Sequence, residues 1–275
     1  MAASYIKRIE VRGLWGKHDL VWDNLHSDVN ILVGINGSGK SSLLNIVNAV
    51  LLRDKKSISK AAILYASVNG GTYNEEYVNG SFLGVGYSGE EIVDYSFLTT
   101  FDVPVNKKSL KQDESPLMLE LRNLILQTGS NSFNDYRLRA TLSPEKALEI
   151  NKKISNLFSA INHLFTNTHK TIEIDSTNNI VFRSGEDVIQ LEQLSSGEKQ
   201  LLIILFKVFL MDEKPNILLM DEPEISLHIS WQQELIKTIR HLNPNCQLII
   251  ATHSPSIFGK GWGDRITFME QLFQK

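Results

Sequence analysis

Short apolar runs that end abruptly in polar clusters set the rhythm of this chain. Val29–Val33 runs into Gly34, Asn216–Met220 into Asp221, and Gln247–Ala251 into Thr252. Runs this short, bounded by turn signals, read as buried strands. A parallel sheet lays the ends of such strands side by side along one edge. The remaining pattern predicts antiparallel strands near residues 5–12 and 19–24 and a helix over about 39–53. Between 61 and 101 it predicts short β segments separated by turns such as Val68-Asn69-Gly70-Gly71 and Val78-Asn79-Gly80. Helical patterns follow at about 115–128 and 144–166, the second opened by Ser143 as N-cap with Pro144 at the first position. Strands near 171–175, 179–183 and 187–190 lead to an apolar helix, Leu201–Met211.

The expected fold class is α/β: a mainly parallel sheet, an N-terminal antiparallel β subdomain and a compact helical insert. Residues 1–275 read as a single domain, with 57–185 an inserted β/helical lid subdomain. The insert lacks sustained heptads, which makes it a compact lid and not a coiled-coil tether.

Charge changes the picture by exclusion. Lys and Arg total 28 against 31 Asp and Glu, a net of −3, so the chain has no overall basic signature of nucleic-acid binding. A nucleic-acid partner would need a local patch: Lys55-Lys56 with Lys60, Lys107-Lys108 with Lys111, or Arg137 with Arg139, each of which also reads as a solvated face. The one cysteine, Cys246, excludes an internal disulfide framework. The N-terminus lacks the apolar stretch of a secretory signal, and the expected location is the cytoplasm. No window reaches the roughly 20 apolar residues that cross a bilayer; Leu201–Met211 is short and broken by Lys207. No membrane partner is expected.

The polar clusters at the strand ends carry the candidate chemistry. Gly34–Ser41 fits G-x-x-x-x-G-K-[ST] directly after a strand, the context that a phosphate-binding loop requires. Its glycines let backbone N–H groups approach phosphate oxygens while the helix that follows points its positive end at the same anion. Asn36, Gly37, Ser38, Gly39, Lys40, Ser41 and Ser42 are therefore the candidate nucleotide-binding residues. Lys40 would reach the β- and γ-phosphates of ATP, and the Ser41 hydroxyl would hold Mg²⁺. A plain glycine turn would leave the Lys-Ser pair without a purpose. Asp221 is the second candidate metal ligand, and Glu222 the candidate base that orients or deprotonates the attacking water. A lone Asp-Glu pair is often only an acidic turn, but here it accompanies a complete phosphate loop. His253 ends the third run between Thr252 and Ser254. Alone it would read as a satisfied half-buried side chain; in this company it is a candidate catalytic contact to the γ-phosphate or the water.

Leu194-Ser195-Ser196-Gly197-Glu198-Lys199-Gln200 resembles the ABC signature motif in its SMC-like form. It also reads as an ordinary helix N-cap, and the two readings share one geometry. Glu224-Ile225-Ser226-Leu227-His228 after the acidic pair looks like the SMC, OLD and Septu-type ATPases, where transporter subunits have a Ser-Ala-Leu-Asp type sequence. Ile6–Trp15 resembles the N-terminal strand and turn of the same branch, with Trp15 and Lys17 where that branch places nucleotide-edge contacts. The resemblance covers about residues 1–56 and 186–270. At Phe97–Pro104, where ABC proteins place a γ-phosphate-sensing glutamine, no glutamine stands, and Asp102 is the candidate in its place.

The resemblance implies an ABC-ATPase head that uses ATP and Mg²⁺ and forms an ATP-dependent homodimer or a higher assembly. Two heads would pack head to tail, with Ser195 and Gly197 acting in trans on the nucleotide held by the other head. It further implies a separately encoded effector nuclease or toxin, as in Septu and retron systems of anti-phage defence. The chain leaves no room for the TOPRIM nuclease of OLD-type proteins after Met269. Two rivals remain: a nucleotide-controlled binding module with negligible turnover, and a transporter energising subunit, which the sequence after the acidic pair disfavours.

Overall fold

The computed structural model describes residues 5–52, 54, 65–69, 75–78, 81–85, 94–99, 115–127 and 131–274. They form two compact units. The first comprises Met1–Thr100, Lys214–Pro223 and Asn245–Lys275; the second comprises Phe101–Glu213 and Glu224–Pro244.

The first unit holds two larger sheets and a two-stranded pair. Strands β1 (Arg8–Leu14) and β2 (His18–Asp23) pair antiparallel, as the alternation predicts, and β4 (Tyr65–Asn69) adds to the other side of β1. Strand β3 (Val29–Val33) leaves this sheet and enters a second one that is parallel throughout. Its partners are β7 (Asp94–Thr99), β11 (Asn216–Asp221), β12 (Cys246–Thr252) and β13 (Ile266–Phe268), in the order β13-β3-β12-β11-β7. Strands β5 (Glu75–Val78) and β6 (Ser81–Val85) form a separate antiparallel pair. The short β segments expected between 61 and 101 are therefore present, but the last of them, β7, belongs to the central sheet.

Register decides where the strands end. Val33 stands opposite Thr252, Ala251 opposite Asp221, and Asp221 opposite Thr99. Every carboxyl end thus opens on one edge, the edge at which parallel sheets bind ligands. Helix α1 (Lys40–Leu51) starts there. Its buried Leu43, Leu44, Ile46, Val47 and Val50 join one apolar cluster with Ile9 and Val11 of β1, Leu20 and Trp22 of β2, and Leu32, Leu219, Ile249 and Ala251 of the parallel sheet. Buried amides tie the entry of β3 to the sheet. Gln247 accepts from Ile6 N at 2.9 Å and donates to the carbonyls of Ile6 and His26 at 2.8 Å. Asn30 accepts from His26 N at 2.7 Å and donates back to His26 O at 2.8 Å.

The second unit is mainly helical. Helices α2 (Pro116–Leu126), α3 (Phe133–Leu142) and α4 (Ala147–Leu164) precede a three-stranded antiparallel sheet of β8 (Thr171–Ile174), β9 (Ile180–Ser184) and β10 (Asp187–Ile189). Helix α5 (Ser196–Leu210) is buried almost all round, and α6 (Ile229–Leu242) buries Trp231, Leu235, Ile236, Ile239 and Leu242 along one stripe. Two expectations shift. The helix opened by Ser143 begins as a 3-10 turn, Pro144–Lys146, and Ser143 makes no side-chain cap bond. The apolar helix begins at Ser196, so the signature segment is its first turn. Short helices α7 (Pro255–Phe258) and α8 (Met269–Leu272) complete the first unit. Among the described residues no helix is long and apolar enough to cross a membrane.

Candidate functional site

The phosphate loop bridges β3 and α1 at the carboxyl edge of the parallel sheet. Gly37 and Gly39 have φ of 78° and 104°, which side chains rarely adopt. At Gly39 a Cβ would also stand 2.9 Å from the Trp15 ring and 3.2 Å from Met269 Cε. The loop is thus backed by two apolar side chains, Trp15 from the end of β1 and Met269 from the start of α8. Neither packing role is legible in the motif itself. Gly39 leaves α1 without a side-chain cap, and no acidic residue stands in its first turn. The N–H groups of that turn have no partner within the helix, and the helix dipole adds positive potential there. The Ser38 hydroxyl is buried and has no hydrogen-bond partner. A positive helix end and an unpaired buried hydroxyl fit a bound phosphate.

Lys40 is buried, and its ammonium donates to Gly34 O at 2.9 Å and Ile35 O at 3.1 Å. The Ser41 hydroxyl donates to Asp221 Oδ1 at 3.0 Å. Two oxygen ligands far apart in sequence therefore meet at the sheet edge, the donor set that Mg²⁺ takes. Glu222 follows Asp221 with φ of 47°, a left-handed conformation that glutamate holds only when its surroundings impose it. Its N–H donates to Ala251 O at 2.8 Å, which fixes the strain. His253 Nδ1 lies 3.4 Å from Glu222 Oε1. Thr252 is buried and accepts from Ser254 N at 3.0 Å, so it braces the turn that carries His253. The structure thus brings Lys40, Ser41, Asp221, Glu222 and His253 together in one unit, with Asn36, Gly37, Ser38, Gly39 and Ser42 in the same loop and helix start.

Ser195 and Gly197 belong to the other unit, at the start of α5. Ser195 Oγ accepts from Glu198 N at 3.2 Å, and Glu198 Oε2 accepts from Ser195 N at 2.8 Å, a reciprocal capping box. The Ser195 side chain also lies within hydrogen-bonding reach of the Glu198 carboxyl, so the box engages both its hydroxyl and its N–H. Burial pushes the Glu198 carboxyl up, but the Lys170 ammonium at 2.7 Å and the Ser195 N–H outweigh it and hold that carboxyl below the usual range. Lys170 had no sequence signal, because nothing in the chain pairs it with a residue on a distant helix. Gly197 has a steric reason: a Cβ there would stand 2.2 Å from Ser226 O.

Other expected positions separate from this site. Asp102 and the lysines at 55, 56, 60, 107, 108 and 111 lie outside the described residues. Arg137 donates to Asn178 O at 3.2 Å, and Arg139 lies over the Tyr136 ring at 5.1 Å, so both are engaged within the second unit. Trp15 is half exposed beside the phosphate loop.

A family model described as AAA ATPase domain matches residues 105–258, more than half of the chain. The Retron Vc95 probable ATPase of Vibrio cholerae serotype O1 biovar El Tor is 27% identical over 173 residues, 59% of this chain and 32% of that protein. This chain therefore spans about a third of the length of that relative. The Septu protein PtuA of Bacillus thuringiensis is 20% identical over 286 aligned positions, 91% of this chain and 72% of its own length. Among solved structures, an SmcHead bound to the C-winged helix domain of ScpA superposes with a TM-score of 0.55 at 17% identity, covering 93% of this chain and 92% of the other. The SMC head domain from Thermotoga maritima gives 0.53 at 17% identity, covering 96% and 94%. At that identity the likeness is one of fold. Fold and family agree: this chain belongs to the AAA ATPase domain family, an ATPase with an SMC-head-like α/β fold.

Proposed function

We propose that the chain binds Mg-ATP at the phosphate loop, closes head to tail with a second copy, and hydrolyses ATP to ADP and phosphate. The observation that carries this reading is the 3.0 Å contact between the Ser41 hydroxyl and the Asp221 carboxylate, with Glu222 and His253 on the neighbouring strand ends. When bound, ATP supplies the bond to be broken and Mg²⁺ the neutralisation of phosphate charge. Lys40 turns from the carbonyls of Gly34 and Ile35 to the β- and γ-phosphates, an exchange of neutral acceptors for charged ones. Ser41 and Asp221 hold the metal. Glu222 takes a proton from the attacking water, and His253, within ion-pair reach, orients that carboxylate. Ser195 and Gly197 of the second copy complete the site: the hydroxyl and the first-turn N–H groups of α5 meet the γ-phosphate. Trp15, exposed beside Gly39, offers an apolar face to the nucleotide.

The biological reading extends from the relatives. Their names place them in retron and Septu systems. We therefore read this chain as the nucleotide-driven sensor or regulator of a separate effector nuclease or toxin in anti-phage defence.

Removing the one side-chain cation of the phosphate loop leaves the phosphates uncompensated. Lys40→Ala should weaken ATP binding at least 100-fold by calorimetry; affinity within about threefold of the parent would contradict the assignment. Glu222→Gln keeps shape but loses the base, so it should bind Mg-ATP normally, release phosphate about 100-fold more slowly, and sediment as a persistent dimer. A monomer under saturating Mg-ATP would count against head-to-tail closure.

Lys170 secures the capping box that orients Ser195. A carboxyl held below its unfolded value near 4.3 contributes stability above that pH and loses it as the pH falls through the lowered folded value. Lys170→Met should therefore cost about 2 kcal/mol in urea unfolding at pH 7. The gap to the parent should narrow as the pH falls below about 5. A gap that stays constant with pH would show that the ion pair is not its source.

A further inference from the structure

The turn that follows the acidic pair is held from both sides, and one of its holders has no place in the nucleotide site. Leu227 N donates to Glu224 O at 3.0 Å, which closes a four-residue turn from Glu224 to Leu227. Its third residue, Ser226, has φ of 65°, a conformation that turns of this kind normally give to glycine or asparagine. A serine there needs restraint from outside the turn.

Two restraints are present. On one side the Ser226 carbonyl lies flush against Gly197, so close that a Cβ on Gly197 would stand 2.2 Å from it. The Trp231 ring backs the same glycine, 3.6 Å from that Cβ position, and its Nε1 donates to Leu164 O at 2.7 Å. On the other side the Gln232 amide donates to the first and last carbonyls of the turn, Glu224 O at 3.3 Å and Leu227 O at 3.0 Å. Gln232 stands in the first turns of α6, and His228 caps that helix by accepting from Ser230 N at 3.3 Å. The turn is thus pinned between the signature helix and α6. Two residues upstream along the chain stands Glu222, itself held left-handed.

We infer that Gln232 is a positioning residue: by clamping both carbonyls of the Glu224–Leu227 turn, it holds that turn against the signature helix and restrains the chain that enters it two residues after Glu222. Both of these bonds go to turn carbonyls, not to the phosphate loop or to Ser41 and Asp221. Its loss loosens the turn while the phosphate loop, in the other unit, keeps its own contacts. The consequence is a separation of binding from turnover. This inference rests on the hydrolysis reading above for its kinetic form, but the clamp itself is a property of the turn.

The test uses two variants of the full chain. Gln232→Met removes both donors at similar size; Gln232→Lys replaces them with an ammonium that donates. Gln232→Met should lower kcat for phosphate release about tenfold, with ATP affinity and KM within about twofold of the parent. Gln232→Lys should recover most of the loss. An unchanged kcat in Gln232→Met would overturn the role, as would equal losses in kcat and ATP affinity, which mark general destabilisation, or a Gln232→Lys variant no better than the methionine. If the parent chain releases no phosphate, the hydrolysis reading fails by itself. The clamp is then judged by hydrogen exchange at the Leu227 amide, which should speed up about tenfold in Gln232→Met relative to neighbouring α6 amides. Unchanged exchange there would overturn it.

Discussion

Everything in the site depends on a span across the parallel sheet. Strands β3 and β11 are not neighbours; β12 lies between them. Strands in a sheet are about 4.8 Å apart, so the ends of β3 and β11 stand roughly 10 Å from each other. The phosphate loop closes that gap. Leaving Val33, it turns through two glycines with positive φ and starts α1 far enough across the edge for the Ser41 hydroxyl to reach Asp221. The register of β12 against β3 and β11 sets the relative height of the two strand ends, and Gln247 and Asn30 hold the entry of β3 against this sheet. A slip of one residue would carry Asp221 to the other face of the sheet.

Left-handed backbone occurs in both units. Among non-glycine residues, Trp15, Glu222 and Ser226 all take left-handed backbone, each at a cost of about 1–3 kcal/mol. Each has an identifiable constraint. Trp15 stands in the turn between β1 and β2 that Gly16 N closes by donating to Gly13 O at 2.9 Å, and it lies against Gly39; Glu222 is hydrogen-bonded to Ala251; Ser226 is pressed on Gly197. In the first unit the costs at Trp15 and Glu222 fall where the phosphate loop and the acidic pair must hold fixed positions, the pattern of a preorganised site.

The sequence disclosed those parts whose chemistry is local. Val29–Val33, Asn216–Met220 and Gln247–Ala251 are short apolar runs ending in reactive groups, and all three are central strands. Contacts between distant segments are illegible in the sequence: Lys170 with Glu198, and Trp15 and Met269 behind Gly39. Helix α3 buries only Phe133 and Tyr136, too few positions to form a stripe. No helix was expected at 229–242, although Trp231, Leu235, Ile236, Ile239 and Leu242 recur at helical spacing. That stripe is legible in the sequence alone. Strand β7 carries no comparable mark, and its place at the edge of the central sheet follows from its pairing with β11 alone.

The central claim is that one active site takes Lys40 from one subunit and Ser195 from another. Ser195→Arg places bulk and charge at the signature helix and leaves the phosphate loop of its own chain intact; Lys40→Ala does the converse. Each variant alone should be inactive. A heterodimer of the two has one site with both lesions and one with neither, so phosphate release should reappear on mixing. The account expects recovery, with nucleotide bound on the Lys40-bearing subunit crosslinking to the Ser195-bearing one. Heterodimers that form but show neither recovery nor crosslinking to the second subunit would contradict it.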